Sequence, residues 1–219
     1  MTVELAPSRR ERKKQATRQA IHEAAFTLAE EDGLVGVTVE AIAARADVAP
    51  RTFFNYFPSK EEAILDWDGE RPESMRRALL ARPLAEDALT ALRRVMEDEV
   101  AQRVLDAERA LRRMRLIRSE PHLRAAMAAC SEDMERALVA GVAERTGQDV
   151  DADLYPALVV SAAWGAFKVA HLRWSDLGGR VSFEALLASA FDTLANGLAP
   201  PAIDRHPHDR PPTHERHRR

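Results

Sequence analysis

A chain of 219 residues, 46% hydrophobic and 31% charged, carries enough apolar side chains for a buried core, which excludes disorder throughout. Ala, Leu, Arg and Glu dominate and only nine Gly occur, a balance that favours helix over strand. Cys130 is the single cysteine, no run of 18 apolar residues exists, and the basic first twenty residues lack the apolar core of a secretory signal; the sequence therefore predicts a cytoplasmic protein without intrachain disulfide or membrane span.

The net charge of −3 is unevenly spread. Arg9, Arg10, Arg12, Lys13, Lys14 and Arg18 stand against the single acid Glu11, whereas residues 61–200 hold 18 basic and 24 acidic side chains. Positive charge concentrates at the N-terminal end, either as a meeting place for a polyanion or as a solvated helix face.

The first helix is predicted over 8–32, with Ile21, Ala24, Ala25 and Leu28 on one face. Asp32-Gly33 ends it, because glycine suits the position just past a helix C-terminus. Thr38 caps a short second helix to about Ala46, with Val39, Ile42, Ala43 and Ala46 inward. Asp47-Val48-Ala49 forms a three-residue turn, and Pro50 opens a third helix ending at Phe57, proline being tolerated in the first turn. Two turns of helix are not stable alone, so an aromatic stripe of Phe53, Phe54 and Phe57 must be held by neighbours. The opposite face presents Arg51 with Asn55 and Thr52 with Tyr56, each pair four residues apart. Arg can bond guanine in bidentate fashion, Asn adenine, and Thr the thymine methyl or a phosphate. A preceding helix of about eight residues and a three-residue turn give the geometry that lays such a helix in a major groove.

Pro58 stops the third helix, and Ser59-Lys60-Glu61-Glu62 reads as a capping box that starts a fourth. Gly69 and Pro72 break or kink that helix. Further helices are predicted over about 73–81, 84–103, 104–119, 122–146, 152–176 and 183–196, so the fold class is all-α, with about nine helices. Residues 199–219, rich in Pro, Arg and His, read as a disordered tail whose histidines have no fixed metal-ligand spacing. No cofactor is expected. A Gly-rich phosphate loop, an H-E-x-x-H motif and a nucleophile in a recognisable setting are all missing, so no enzyme is expected.

Residues 38–65, TVEAIAARADVAPRTFFNYFPSKEEAIL, resemble the DNA-binding region of the tetracycline-repressor (TetR) family of regulators. Ile21-x-x-Ala24-Ala25 and Glu31-x-Gly33 fit that family's first helix, so the resemblance spans about 17–65. It implies that Thr38 contacts a backbone phosphate, that Pro50, Arg51, Thr52 and Asn55 face base edges, and that Tyr56 meets a phosphate or a base. Lys60 would hold a phosphate at the start of the fourth helix. Three positions depart from the pattern. Asp47 replaces the usual turn Gly, Ala49 replaces a usual Ser with loss of a cap worth about 1 kcal/mol, and Phe54 stands where a Tyr hydroxyl is often found and is not assigned to DNA.

By the same resemblance, 8–60 is a helix-turn-helix DNA-binding domain and 61–198 a ligand-binding and dimerisation domain. The implied function is a homodimeric transcriptional repressor on a palindromic double-stranded operator, released by an apolar or amphipathic small molecule. A ligand-independent DNA-binding or architectural protein is the alternative. In helix 152–176, Ala162, Ala163, Ala166 and Ala170 form a small-residue face suited to dimer contact. Trp164, Phe167, His171 and Trp174 form an aromatic stripe, either ordinary core or one wall of an effector pocket. Met114, with Met96, Met127 and Met134, would suit an adaptable pocket or serve as core filler. Arg109, Arg112, Arg113, Arg115 and Arg118 crowd one helix, as a solvated face or, as in some relatives with arginine-rich helices, as partners for the phosphates of acyl-coenzyme A thioesters.

Overall fold

The computed structural model describes residues 8–103 and 107–199; the expected tail from 200 to 219 lies outside the described residues. Among the described residues there are ten helices and no strand: α1 Arg9–Gly36, α2 Val39–Arg45, α3 Pro50–Phe53, α4 Lys60–Leu65, α5 Arg71–Leu80, α6 Ala88–Arg103, α7 Ala107–Ser119, α8 Pro121–Thr146, α9 Leu154–Asp176 and α10 Phe183–Ala195. The all-helical expectation therefore holds; the fourth helix is broken into α4 and α5, giving ten where about nine were expected.

Local chemistry explains the boundaries. Ser8 and Glu11 form a reciprocal capping box at the start of α1, the Ser8 amide donating to Glu11 Oε2 at 2.6 Å and the Glu11 amide to Ser8 Oγ at 3.2 Å. Gly33, at φ 69°, kinks α1 where the sequence predicted its end, and a last short turn continues to Gly36. Asp47 adopts φ 52°, so the turn survives without its usual glycine, as aspartate permits. At Ser59 only half of the expected box forms: its Oγ accepts the Glu62 amide at 3.1 Å, and the side chain of Glu62 does not return to the Ser59 amide.

Helix α3 is shorter than predicted. Regular helix stops at Phe53, although Tyr56 and Phe57 amides still donate to the Phe53 carbonyl at 2.9 and 3.0 Å. Ala49 supplies no side-chain cap at its start, and Pro58 disfavours helical backbone at the residue before it, so only a turn follows Phe53. The expected three-ring stripe also needs correction: Phe53 and Phe57 are fully buried, but Phe54 is 60% exposed.

Two apolar cores result. The first gathers Ile21, Ala25, Phe26, Ile42, Phe53, Phe57 and Ile64 from α1–α4, and is completed by Ile117 of α7 with Leu123 and Cys130 of α8. Helix α4 thus packs with α1–α3, which together form the head of the molecule, so a boundary at residue 60 would cut through this core. Burial pushes the Cys130 thiol up to about 11, leaving it a small apolar filler. The second core joins α5, α6, α8, α9 and α10 around Leu79, Leu92, Met134, Leu138, Trp174 and Leu187. Helix α7 touches both, through Ala110 and Leu111 on the body side and Met114, Leu116 and Ile117 on the head side.

The arginines of α7 are more than a solvated face. Arg109 is ion-paired with Glu23 of α1, and Arg112 with Glu30 of α1 at 3.3 Å and Glu108 at 3.2 Å. Arg118 reaches Asp176 at the end of α9 at 2.7 Å. These pairs fasten α7 to the head helix on one side and to the body on the other.

Candidate functional site

The head presents its reading face from the turn α2–α3. Thr38 is exposed and caps α2, its Oγ1 accepting the Ala41 amide at 3.1 Å; its own O–H remains available to donate. Pro50, Arg51 and Asn55 are exposed, and among the described residues neither Arg51 nor Asn55 uses its side chain in a hydrogen bond. Thr52 is half-buried, and the half-buried Tyr56 lays its ring on the head core.

Lys60 is placed differently from the phosphate ligand that was expected. Its Nζ donates to the carbonyls of Leu34 and Val37, both at 2.9 Å, at the C-terminal end of α1, where the Leu34 carbonyl also accepts the Val37 amide at 3.4 Å. One N–H is left over, so any phosphate contact would be secondary to this structural role. Arg18 is also withdrawn from the basic cluster. Its guanidinium pairs with Asp66, donates to the Trp67 carbonyl at 2.6 Å and lies 4.3 Å from the centroid of the Phe57 ring. Arg9, Arg10, Arg12, Lys13 and Lys14 are exposed along the first turns of α1.

Behind the head, His22 of α1 is buried, with Nδ1 2.8 Å from the Ala63 carbonyl of α4 and Nε2 3.0 Å from Arg109 Nη2 of α7. Guanidinium only donates, so Nε2 accepts and the proton sits on Nδ1, donated to Ala63. Burial holds the His22 imidazole below its ordinary pKa, with Arg109 and Arg113 acting in the same direction against the pull of Asp66. One neutral histidine therefore ties α1, α4 and α7 together.

In the body, Trp164 and Phe167 stack at 5.3 Å and 14°, and Phe183 of α10 stands edge-on to Phe167 at 5.5 Å. His171 completes the cluster, 5.4 Å from Phe183 and 6.0 Å from Trp174. Trp164 is 9% exposed, and its buried Nε1–H has no hydrogen-bond partner among the described residues. Met114 does not join this group: it packs against the head core, while Met96 and Met134 are buried in the body. An open groove of about 400 Å³ lies elsewhere, bounded by Trp67, Pro72, Glu73, Arg76, Asp133 and Arg136.

The outer face of α9 differs from the expected small-residue face. Ala163, Ala166 and Ala170 turn into the body core. Leu158, Ala162, Gly165, Val169 and Leu172, spaced alternately by four and three residues, form the outward stripe, with Leu158 68% and Val169 63% exposed.

Family models match both regions. Residues 21–65 match that of bacterial regulatory proteins, tetR family, and residues 86–199 match the MftR C-terminal domain. The HTH-type transcriptional regulator TcmR of Streptomyces glaucescens is 34% identical over 202 residues, covering 89% of this chain and 88% of TcmR. This chain belongs to the tetR family.

As a TetR-family transcriptional regulator, it shares its fold with FadR from Bacillus subtilis, solved in complex with stearoyl-CoA (21% identity, TM-score 0.56, 83% of this chain and 99% of that one). The fold of SmeT, solved in complex with triclosan, is equally similar (21% identity, TM-score 0.56, 88% of this chain and 99% of that one). Two parts of this TetR-family site were not read from sequence. Phe183 joins the aromatic cluster from another helix, and His22 was passed over although it lies between Ile21 and Glu23 on the inward side of α1.

The aromatic cluster makes a prediction about acid. Burial pushes His171 down to about 4, with Arg113 contributing. The unfolded chain therefore binds this proton more readily, so stability is complete above the ordinary histidine value near 6.5 and falls as pH drops below it. His171 alone should cost about 2 kcal/mol between pH 6.5 and 5, and His22 should add to the loss. Chemical denaturation at the two pH values should show this loss, and His171→Leu should remove most of the His171 share. An unchanged slope in that variant would contradict the assignment.

Proposed function

We propose that this regulator is a repressor that binds a palindromic operator as a two-fold dimer and leaves it when a small apolar or amphipathic molecule enters the body. The observation that carries the reading is the pair Arg51 and Asn55, both exposed and neither using its side chain in a hydrogen bond among the described residues. Pro50 and Thr52 accompany them at base edges, while Thr38 and Tyr56 hold phosphates. Lys60 serves by bracing the corner between α1 and α2, with at most one N–H for a phosphate.

The outward stripe on α9 supports self-association, because a two-fold axis would lay this stripe against the same stripe of a second copy. Among Trp164, Phe167, His171 and Phe183, the unpartnered Trp164 N–H suits a ligand with an acceptor atom inside an apolar surround. The ligands held by two fold neighbours, stearoyl-CoA in FadR and triclosan in SmeT, are apolar or amphipathic. Met114 would then act from α7, on the route from body to head, rather than from the cluster. No described helix is long and apolar enough to cross a membrane, and the reading places the protein with DNA in the cytoplasm.

Selection of bound duplexes from a random pool should return a palindrome whose half-sites lie about one helical turn, 34–36 Å, apart or a multiple of it. Stearoyl-CoA and triclosan, added as probes, should be followed by Trp fluorescence and by release of that duplex. A regulator that no apolar molecule releases would be the ligand-independent alternative. Arg51→Ala should cost about 1–3 kcal/mol at the selected site and relax preference at one position per half-site. If it weakens all sequences equally, α3 has been placed with the wrong side to the bases.

A further inference from the structure

Phe54 was expected to be core and is not. Its ring is 60% exposed and stands edge-on to the buried Phe53, centroids 5.3 Å apart at 85°. The backbone at Phe54 is still helical, at φ −68° and ψ −11°. Arg51, one turn earlier, and Asn55, next in the chain, are also exposed, whereas Thr52 and Tyr56 are half-buried. Phe54 therefore stands outward with Pro50, Arg51 and Asn55 on the reading element, with Thr52 half-buried at its edge.

A phenyl ring offers no hydrogen bond to a phosphate, and beyond its edge-on contact with Phe53 most of this apolar ring is left in water beside two polar readers. Base edges in the major groove carry one apolar marker, the C5-methyl of thymine. We infer that Phe54 reads a thymine methyl in the operator and is a specificity-determining residue. The assignment rests on the reading above, in which α3 enters the major groove. Packing against Phe53 limits the ring's freedom, so little motion is lost on contact. Arg51 and Asn55 then discriminate by hydrogen bonds, and Phe54 separates thymine from cytosine by a methyl group.

The test uses the duplex recovered by selection, with each thymine in turn replaced by deoxyuracil, which lacks only the methyl. At one symmetric pair of positions the wild type should bind about fourfold more weakly per half-site, the factor expected for burying one methyl-sized group. Phe54→Ala should lose a similar factor on the thymine duplex and become indifferent to the exchange. Phe54→Leu should keep part of the response and confirms that the loss is not misfolding. A wild type indifferent to uracil at every position, a Phe54→Ala variant that still senses the methyl, or a selected site without thymine would overturn the assignment. Failure to select any sequence would overturn the DNA-reading face as well, whereas a selected site without a methyl effect would overturn Phe54 alone.

Discussion

Val169→Glu should convert the protein to a monomer and lower operator affinity by at least a hundredfold. Val169 is 63% exposed in the protomer, so the substitution leaves the protomer's own core intact. In a two-fold interface along this stripe the new carboxylate appears twice, unpaired and desolvated, a cost of several kcal/mol. Without the second head, each half-site must bind alone, and the advantage of linked binding disappears. Sedimentation and duplex binding on the same samples check both parts. A wild type that is monomeric and still binds tightly would refute the dimer. Ala166→Glu is a poor substitute, because Ala166 lies in the body core and its variant reports on folding.

Arg18→Met should destabilise the head by about 2–4 kcal/mol, as expected when one member of a largely buried ion pair is removed. The variant leaves the Asp66 carboxylate and the Trp67 carbonyl without their donor, and it uncovers one face of Phe57. Asp66 also closes α4 in a left-handed conformation at φ 53°, so the helix end loosens with it. Denaturant unfolding measures the loss, and adding Asp66→Asn should recover part of it by removing the stranded charge. Arg10→Met, on the same helix, should leave stability unchanged and lower only the affinity for DNA and its salt dependence. Equal stability of the Arg18 variant and the wild type would show that the latch contributes nothing.

Those two arginines illustrate what can be read from a linear chain. Helical periodicity records which residues share a face, so α2, α8 and α9 were predicted almost as they occur, and the left-handed turn at Asp47 followed from side-chain chemistry. Contacts across long separations leave no such trace. Arg18 looks like its basic neighbours until Asp66, 48 positions away, is seen beside it. Lys60 matched a phosphate position by pattern, yet the nearest acceptors are the carbonyls that end α1. Phe54 was grouped with Phe53 and Phe57 although it is offset by about 100° from the first on a helix of 3.6 residues per turn. In α9 the alanines were read as an external face because small residues allow close approach, but they allow it equally toward the chain's own α6 and α10.

Heads of this architecture invite exchange between regulators, with one chain's DNA specificity grafted onto another's body. The shared core argues against a cut after residue 65. Ile117, Leu123 and Cys130, all at most 5% exposed, fill the head from beneath, and α7 grips α1 through Glu23 and Glu30. A graft that leaves those partners behind would carry the reading residues on an incompletely filled scaffold, prone to opening and cleavage. A transplant that takes the facing residues of α7 and α8 along with 8–65 should hold its shape, and the seam would then fall inside two continuous helices.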